Sequence, residues 1–181
     1  LVGAAMRRST LRLRLQQRRL HAIEEDARRS MTGTTAGPGE RVRLLEGAVE
    51  SVRAQTGAAR AVLWDVEADH DRMVPRVVVP GPPQRPVSLM GSPLRWVWEE
   101  GTPLRLEGRA ANIGALSAKG GACVVPVDAD CVLALEFDEG RLPPDASNAV
   151  DAGRYIGALL ELQRAQRAAD AARAGFDGML G

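Results

Sequence analysis

Residues 122–138 read Ala-Cys-Val-Val-Pro-Val-Asp-Ala-Asp-Cys-Val-Leu-Ala-Leu-Glu-Phe-Asp, and this stretch limits what the chain can fold into more than any other. Two apolar runs, Ala122–Val127 and Cys131–Phe137, flank a short Asp-Ala-Asp turn. That is the pattern of a β-hairpin whose strands are buried. Pro126 lies inside the first run and predicts an edge position or a bulge, because proline has no N–H to give to a ladder. With the turn at 128–130, Cys123 falls opposite Ala134 or Leu135 and not opposite Cys131, so no disulfide joins the two cysteines in this reading. A chain with two Cys is too poor for a disulfide framework and reads as carrying buried free thiols in a reducing compartment.

The segments around the hairpin supply the other layers. Glu40 to Thr56 places Val42, Leu45, Val49 and Val52 three and four apart, one apolar helical face, and Gly57 ends it. Ala58 to Glu67 is a strand apolar on both faces, which requires cover on both sides of a sheet. After a polar turn, Arg72–Val79 reads as the return strand, interrupted by Pro75, and Pro80–Pro86 as a stiff connector. Ser92-Pro93 opens a helix as N-cap and first helical residue. It carries Leu94, Trp96, Val97 and Trp98 and stops at Gly101. Pro103–Glu107 is a short strand, and 108–121 a loop with one apolar cluster, Ile113 to Leu116. A helix from about Asp145 to Ala174 closes the chain. Val150, Ile156, Leu159, Leu160 and Leu162 form its apolar part, and beyond Gln163 it is too polar to be core.

The N-terminal part is of a different kind. Between Arg7 and Arg19 there are six Arg and no acidic residue, although the whole chain has a formal net charge of only +1. Arg7 to Ser30 reads as a helix with a weak heptad of Leu13, Leu20 and Ala27. It fits a solvated basic arm, a dimer stalk, or an arginine face meeting an anionic membrane surface. Nucleic acid is not expected, because the stretch has no interleaved aromatics. The opening Leu-Val-Gly-Ala-Ala-Met, followed at once by Arg7-Arg8, reads either as the last turn of a membrane helix with its positive flank or as an arbitrary start. The expected organisation is a basic, juxtamembrane-like helix over 1–30, a Gly/Pro-rich linker over 31–39, a domain over 40–165, and a helix extension with a frayed tail over 166–181.

Chemistry is sparsely signalled. His occurs at 21 and 70 only, both outside the expected core, so haem and metal sites are poorly supported. Asp128, Asp130, Asp138 and Glu139 crowd the hairpin ends without the spacing of a calcium loop. No nucleophile elbow, zincin motif or dinucleotide fingerprint is present. Trp96 and Trp98 are two apart on a helix and so point to different faces, one toward the core and the other toward a pocket or a partner.

The order of elements resembles the GAF domain. Ala61-Val62-Leu63-Trp64-Asp65 looks like its first strand. Ser92 to Leu104 looks like its central helix and the strand that follows, and Val124-Val125-Pro126-Val127 and Val132-Leu133-Ala134-Leu135 like its later strands. Asp145–Leu162 looks like its closing helix. The resemblance implies an α+β fold, a central antiparallel β-sheet sandwiched by helices, with extended N- and C-terminal helices. It also implies a pocket between the sheet and the Trp helix under 108–121, for which Trp64, Trp96 and Cys123 are the ligand-binding candidates. That segment is short for the family, and Cys131-Val132 stands where the family usually has a Gly-hydrophobic pair. No cofactor is specified.

The function expected from the resemblance is a non-catalytic sensory or regulatory domain of a bacterial signalling protein. It would be cytoplasmic, with a tether to the inner membrane as an option, and would dimerise through its terminal helices. The alternative is a structural or assembly subunit of the same fold without a small-molecule ligand. Some GAF relatives reduce free methionine sulfoxide with a cysteine set, but no thiol-activating surroundings are legible at Cys123 or Cys131.

Overall fold

The hairpin forms with the expected register. In the computed structural model, β5 (Gly121–Pro126) pairs antiparallel with β6 (Cys131–Phe137), and Cys123 stands opposite Leu135. The structure describes residues 37–67, 69, 71–82, 84–108, 116, 120–141 and 146–177. The expected basic helix 7–30, the linker up to residue 36, His21 and His70, and most of the 108–121 loop lie outside them. Residues Leu1–Glu40 and Arg41–Gly181 form separate compact units. The sheet and its helices belong to the second, apart from the first residues of the helix that begins at Pro38.

The described elements are α1 (Pro38–Thr56), β1 (Arg60–Glu67), β2 (Arg72–Val79), β3 (Val87–Ser88), α2 (Pro93–Glu100), β4 (Leu104–Glu107), β5, β6 and α3 (Ala146–Asp177). The strands form one antiparallel sheet in the order β3-β2-β1-β6-β5-β4. The most apolar strands, β1, β6 and β5, take its centre, where both faces are covered. The polar-alternating β4 takes one edge. This is the expected α+β arrangement.

Strand alternation sorts the core into two layers. Val62, Trp64, Ala122, Val124, Val132 and Ala134 face α2, in one cluster with Met73, Leu89, Leu94, Val97 and Leu116. On the opposite face Val125 meets α3, where a Cβ built on Gly153 would lie 3.1 Å from its Cγ2. Leu133, Leu63, Cys123 and Leu135 share that parity and are fully buried. Helix α3 packs on β5, and α2 packs on β5 and β6.

Both proline expectations are refined. Pro126 is in an interior strand and not at an edge. Val127 donates its N–H to the Cys131 carbonyl at 3.0 Å, so the Pro126/Val132 pair next to it is a non-hydrogen-bonded one and the proline nitrogen faces β4. The β4 pairing ends at Val124, two residues short, so no ladder bond is lost. Pro75 does not interrupt β2 either. Leu63 pairs with Val77 and Trp64 with Pro75, leaving Arg76 as the extra residue of a β-bulge. Strand β3 is an addition to the sequence reading, since two residues carry no periodic signal. On α1, Leu45, Val49 and Val52 are buried with Ala48, whereas Val42, one turn ahead of the first buried residue, is 53% exposed. Leu162 on α3 is exposed as well, since it points away from the sheet.

Candidate functional site

The face of the sheet under α2 is where the three candidate ligand residues were expected to meet. Ser92 and Gly101 fix α2 there. Ser92 Oγ accepts from the Leu94 N–H at 3.2 Å, and Gly101, at φ 61°, donates its N–H to the Val97 carbonyl. A left-handed cap of that kind suits glycine. Leu94 and Val97 are thereby held against the sheet with no exposure.

The three candidates do not converge. Trp64 alone lies between the sheet and α2, fully buried and filling the centre of that layer. Its indole Nε1 has no hydrogen-bond partner among the described residues, a cost of roughly 1–3 kcal/mol unless an acceptor reaches it. Trp96 is 44% exposed on the solvent side of α2. Cys123 has odd parity on β5 and faces α3, on the far side of the sheet. The neighbour Trp98 packs at the margin of the Trp64 layer and donates its indole N–H to the Ala129 carbonyl at 2.7 Å.

Two polar residues that sequence reasoning missed share the Trp64 face. Arg60 and Glu136 are cross-strand partners at one end of β1 and β6, and both have the parity of Trp64. Glu136 is only 3% exposed. With its amide oxygen turned toward Arg60, Gln84 accepts from both terminal guanidinium nitrogens, at 2.7 and 2.8 Å. A carboxyl this deeply buried needs polar company, and its register places it opposite Arg60. The signal was present in the sequence as a lone Glu within an apolar strand, but its opposite number lies 76 residues away (136 − 60), so only the pairing of β1 with β6 reveals it.

On the opposite face, the Cys131 thiol donates to Asp65 Oδ1 at 3.1 Å, and Arg76 Nη1 donates to the same oxygen at 3.3 Å. Burial, with the Asp65 carboxylate close by, pushes the Cys131 thiol well above its ordinary range. It is therefore held as a neutral thiol, the reverse of what a nucleophile needs. Among the described residues, no group of three or more His, Cys, Asp or Glu is placed to hold a metal ion, and no helix is long and apolar enough to cross a membrane.

No protein-family model matches the chain, and no curated sequence matches it significantly. Solved structures do. The GAF domain of an Acinetobacter phosphoenolpyruvate-protein phosphotransferase superposes with a TM-score of 0.63 at 14% identity, over 83% of this chain and 95% of that one. The second GAF domain of DevS from Mycobacterium smegmatis gives 0.58 at 16% identity, over 70% and 97%. A free methionine-R-sulfoxide reductase from Neisseria meningitidis gives 0.57 at 16% identity, over 80% and 87%. The fold is that of a GAF domain.

Proposed function

We propose that this chain is a non-catalytic regulatory module of GAF fold in a bacterial signalling protein, working as a homodimer joined through its terminal helices. The observation that carries the reading is the form of α3. Its sheet-facing side is buried from Ala149 to Gln163, yet the helix continues to Asp177. That extension is Ala/Arg-rich and mostly exposed, with Asp170 tied back to Arg41 at 2.8 Å. A helix that outruns its own core is suited to hand a change in packing to a neighbouring chain or domain.

The thiol chemistry supports the non-catalytic part. Cys131 is buried and held protonated, and Cys123 is buried on the other side of the sheet from the Trp64 layer. Two buried thiols outside any disulfide also suit a reducing, cytoplasmic setting. The arginine-rich stretch Arg7–Arg19 would serve as a contact to the anionic inner-membrane surface, and nucleic acid is not among the proposed partners.

One observation favours a second reading, an assembly subunit of the same fold without a small-molecule ligand. Trp64, Met73 and Leu94 fill the layer beneath α2 without exposure.

Sedimentation equilibrium on the whole chain and on residues 40–165 tests the first reading. A dimer that becomes a monomer on trimming supports it. A monomer in both forms overturns it and leaves the domain as a subunit for another chain. Thermal-shift screening against small metabolites separates the two readings, since stabilisation by any of them excludes a ligand-free scaffold.

A further inference from the structure

The β5–β6 turn, Asp128-Ala129-Asp130, is gripped from both faces of the sheet at once. From the Trp64 side, Trp98 at the last turn of α2 donates its indole N–H to the Ala129 carbonyl at 2.7 Å. From the other side, Arg164 of α3 pairs with Asp128 at 2.9 Å and Asp130 at 3.5 Å.

The turn itself is stiff. The Asp130 N–H donates to Asp128 Oδ1 at 2.9 Å, a side-chain-closed turn. The Val66 N–H donates to the Asp130 carbonyl at 2.7 Å, and the N–H groups of Val127 and Asp128 share the Cys131 carbonyl. Helix α3 approaches the same place without side chains in between. A Cβ on Gly157 would sit 2.7 Å from the Val127 carbonyl oxygen, and one on Gly153 equally close to that of Pro126. Gly153, Gly157, Leu160 and Arg164 follow one another at steps of four, three and four, a single stripe along α3.

We infer that this turn is a mechanical junction through which the position of α2, on one face of the sheet, sets the position of the α3 extension on the other. A shift of α2 pulls or releases the Ala129 carbonyl. Because the turn is closed on itself, Asp128 and Asp130 move with it, and Arg164 is the first residue of α3 beyond the last fully buried turn. The ends of the link are two side chains that the sheet would otherwise keep apart. Its use as a relay rests on the regulatory reading above, whereas the coupling is a property of the fold and is measurable without it.

Amide and indole hydrogen exchange on the full chain provides the test, with Arg164→Gln, Trp98→Phe and, as a control on the same helix, Trp96→Phe. Reciprocity requires the effect to run both ways. Trp98→Phe is expected to speed amide exchange over Arg164–Asp170 by about fivefold, the lower end of ordinary coupling between sites, while Trp96→Phe leaves it unchanged. Arg164→Gln is expected to speed exchange of the Trp98 indole N–H by a similar factor.

Arg164 is solvent-facing and its substitution leaves the core intact, so this second arm holds even where Trp98→Phe loosens the whole domain. A Trp98 indole N–H that exchanges at the wild-type rate in Arg164→Gln overturns the junction. Coupling that is present in a chain that sediments as a monomer both whole and trimmed to residues 40–165 leaves the junction standing and removes the regulatory reading.

Discussion

Trp64 combines the largest fully buried side chain among the described residues with a donor that none of them satisfies. Its truncation to Ala should cost about 3–5 kcal/mol in urea unfolding, the range for emptying a large aromatic site. Trp64→Phe should stay within about 1.5 kcal/mol of wild type, because lost volume is offset by removal of an unpaired N–H. A ligand that presents an acceptor to Nε1 would lose affinity in Trp64→Phe while the domain stays folded, and calorimetry reads that difference. Cys131 gives a prediction in pH. Its thiol is held protonated in the folded domain but ionises near its ordinary value of 9.0 once unfolded, so the unfolded chain binds fewer protons above that pH. Stability attributable to Cys131 is therefore complete below pH 9 and falls as pH rises. Unfolding measured from pH 7 to 10.5 should show a steeper alkaline decline for wild type than for Cys131→Ala, and equal slopes would refute the assignment. At this scale the sequence was only partly legible. The types and burial of Trp64 and Cys123 could be read from their apolar strands, but not the faces they occupy relative to the helices.

Among the elements, α3 shows how a sequence cost becomes a packing requirement. Glycine inside a helix is unfavourable by about 0.5–1 kcal/mol relative to alanine, yet Gly153 and Gly157 sit in its middle. Backbone carbonyls of Pro126 and Val127 occupy the space that a Cβ would take, each 2.7 Å from the built position. Gly153→Ala should therefore destabilise by about 1–3 kcal/mol despite the better helix former, since backbone and not a flexible side-chain tip must move. Gly47 on α1 has nothing within 4 Å of its Cβ position, and Gly47→Ala should stabilise by about 0.5–1 kcal/mol. Chemical denaturation of the two variants checks the pair, and the same sign for both would count against the close approach. The two ends of helix α2 were legible, because Ser92, Pro93 and Gly101 are local signals that act within one turn. The unbroken β2 was not, since the bulge at Arg76 exists only against the register of β1.

For the molecule as a whole, burial along α3 ends at Gln163, whose side-chain amide donates to the Arg41 carbonyl at 3.0 Å. A chain ending at residue 165 keeps that bond and loses the part-buried Arg41–Asp170 pair together with the half-buried Gln166. It should fold cooperatively within about 1 kcal/mol of the longer chain, the usual worth of such a pair. Urea unfolding of both lengths tests this, and a larger loss would mean that the α3 extension belongs to the folding unit. By itself the sequence determined the α+β class, the central hairpin and its register, the capped Trp helix and a closing helix longer than its core, because each rests on local propensity or on a two- or four-residue period. It also carried the GAF resemblance that the solved structures bear out as a fold. Only the tertiary structure decided that Trp64 and Cys123 lie on opposite faces, that Trp96 looks outward, that Arg60 meets Glu136, and that Trp98 and Arg164 grip one turn. These are pairings between residues far apart in the chain, and they come into being only when the strand order and the seating of the helices bring them together.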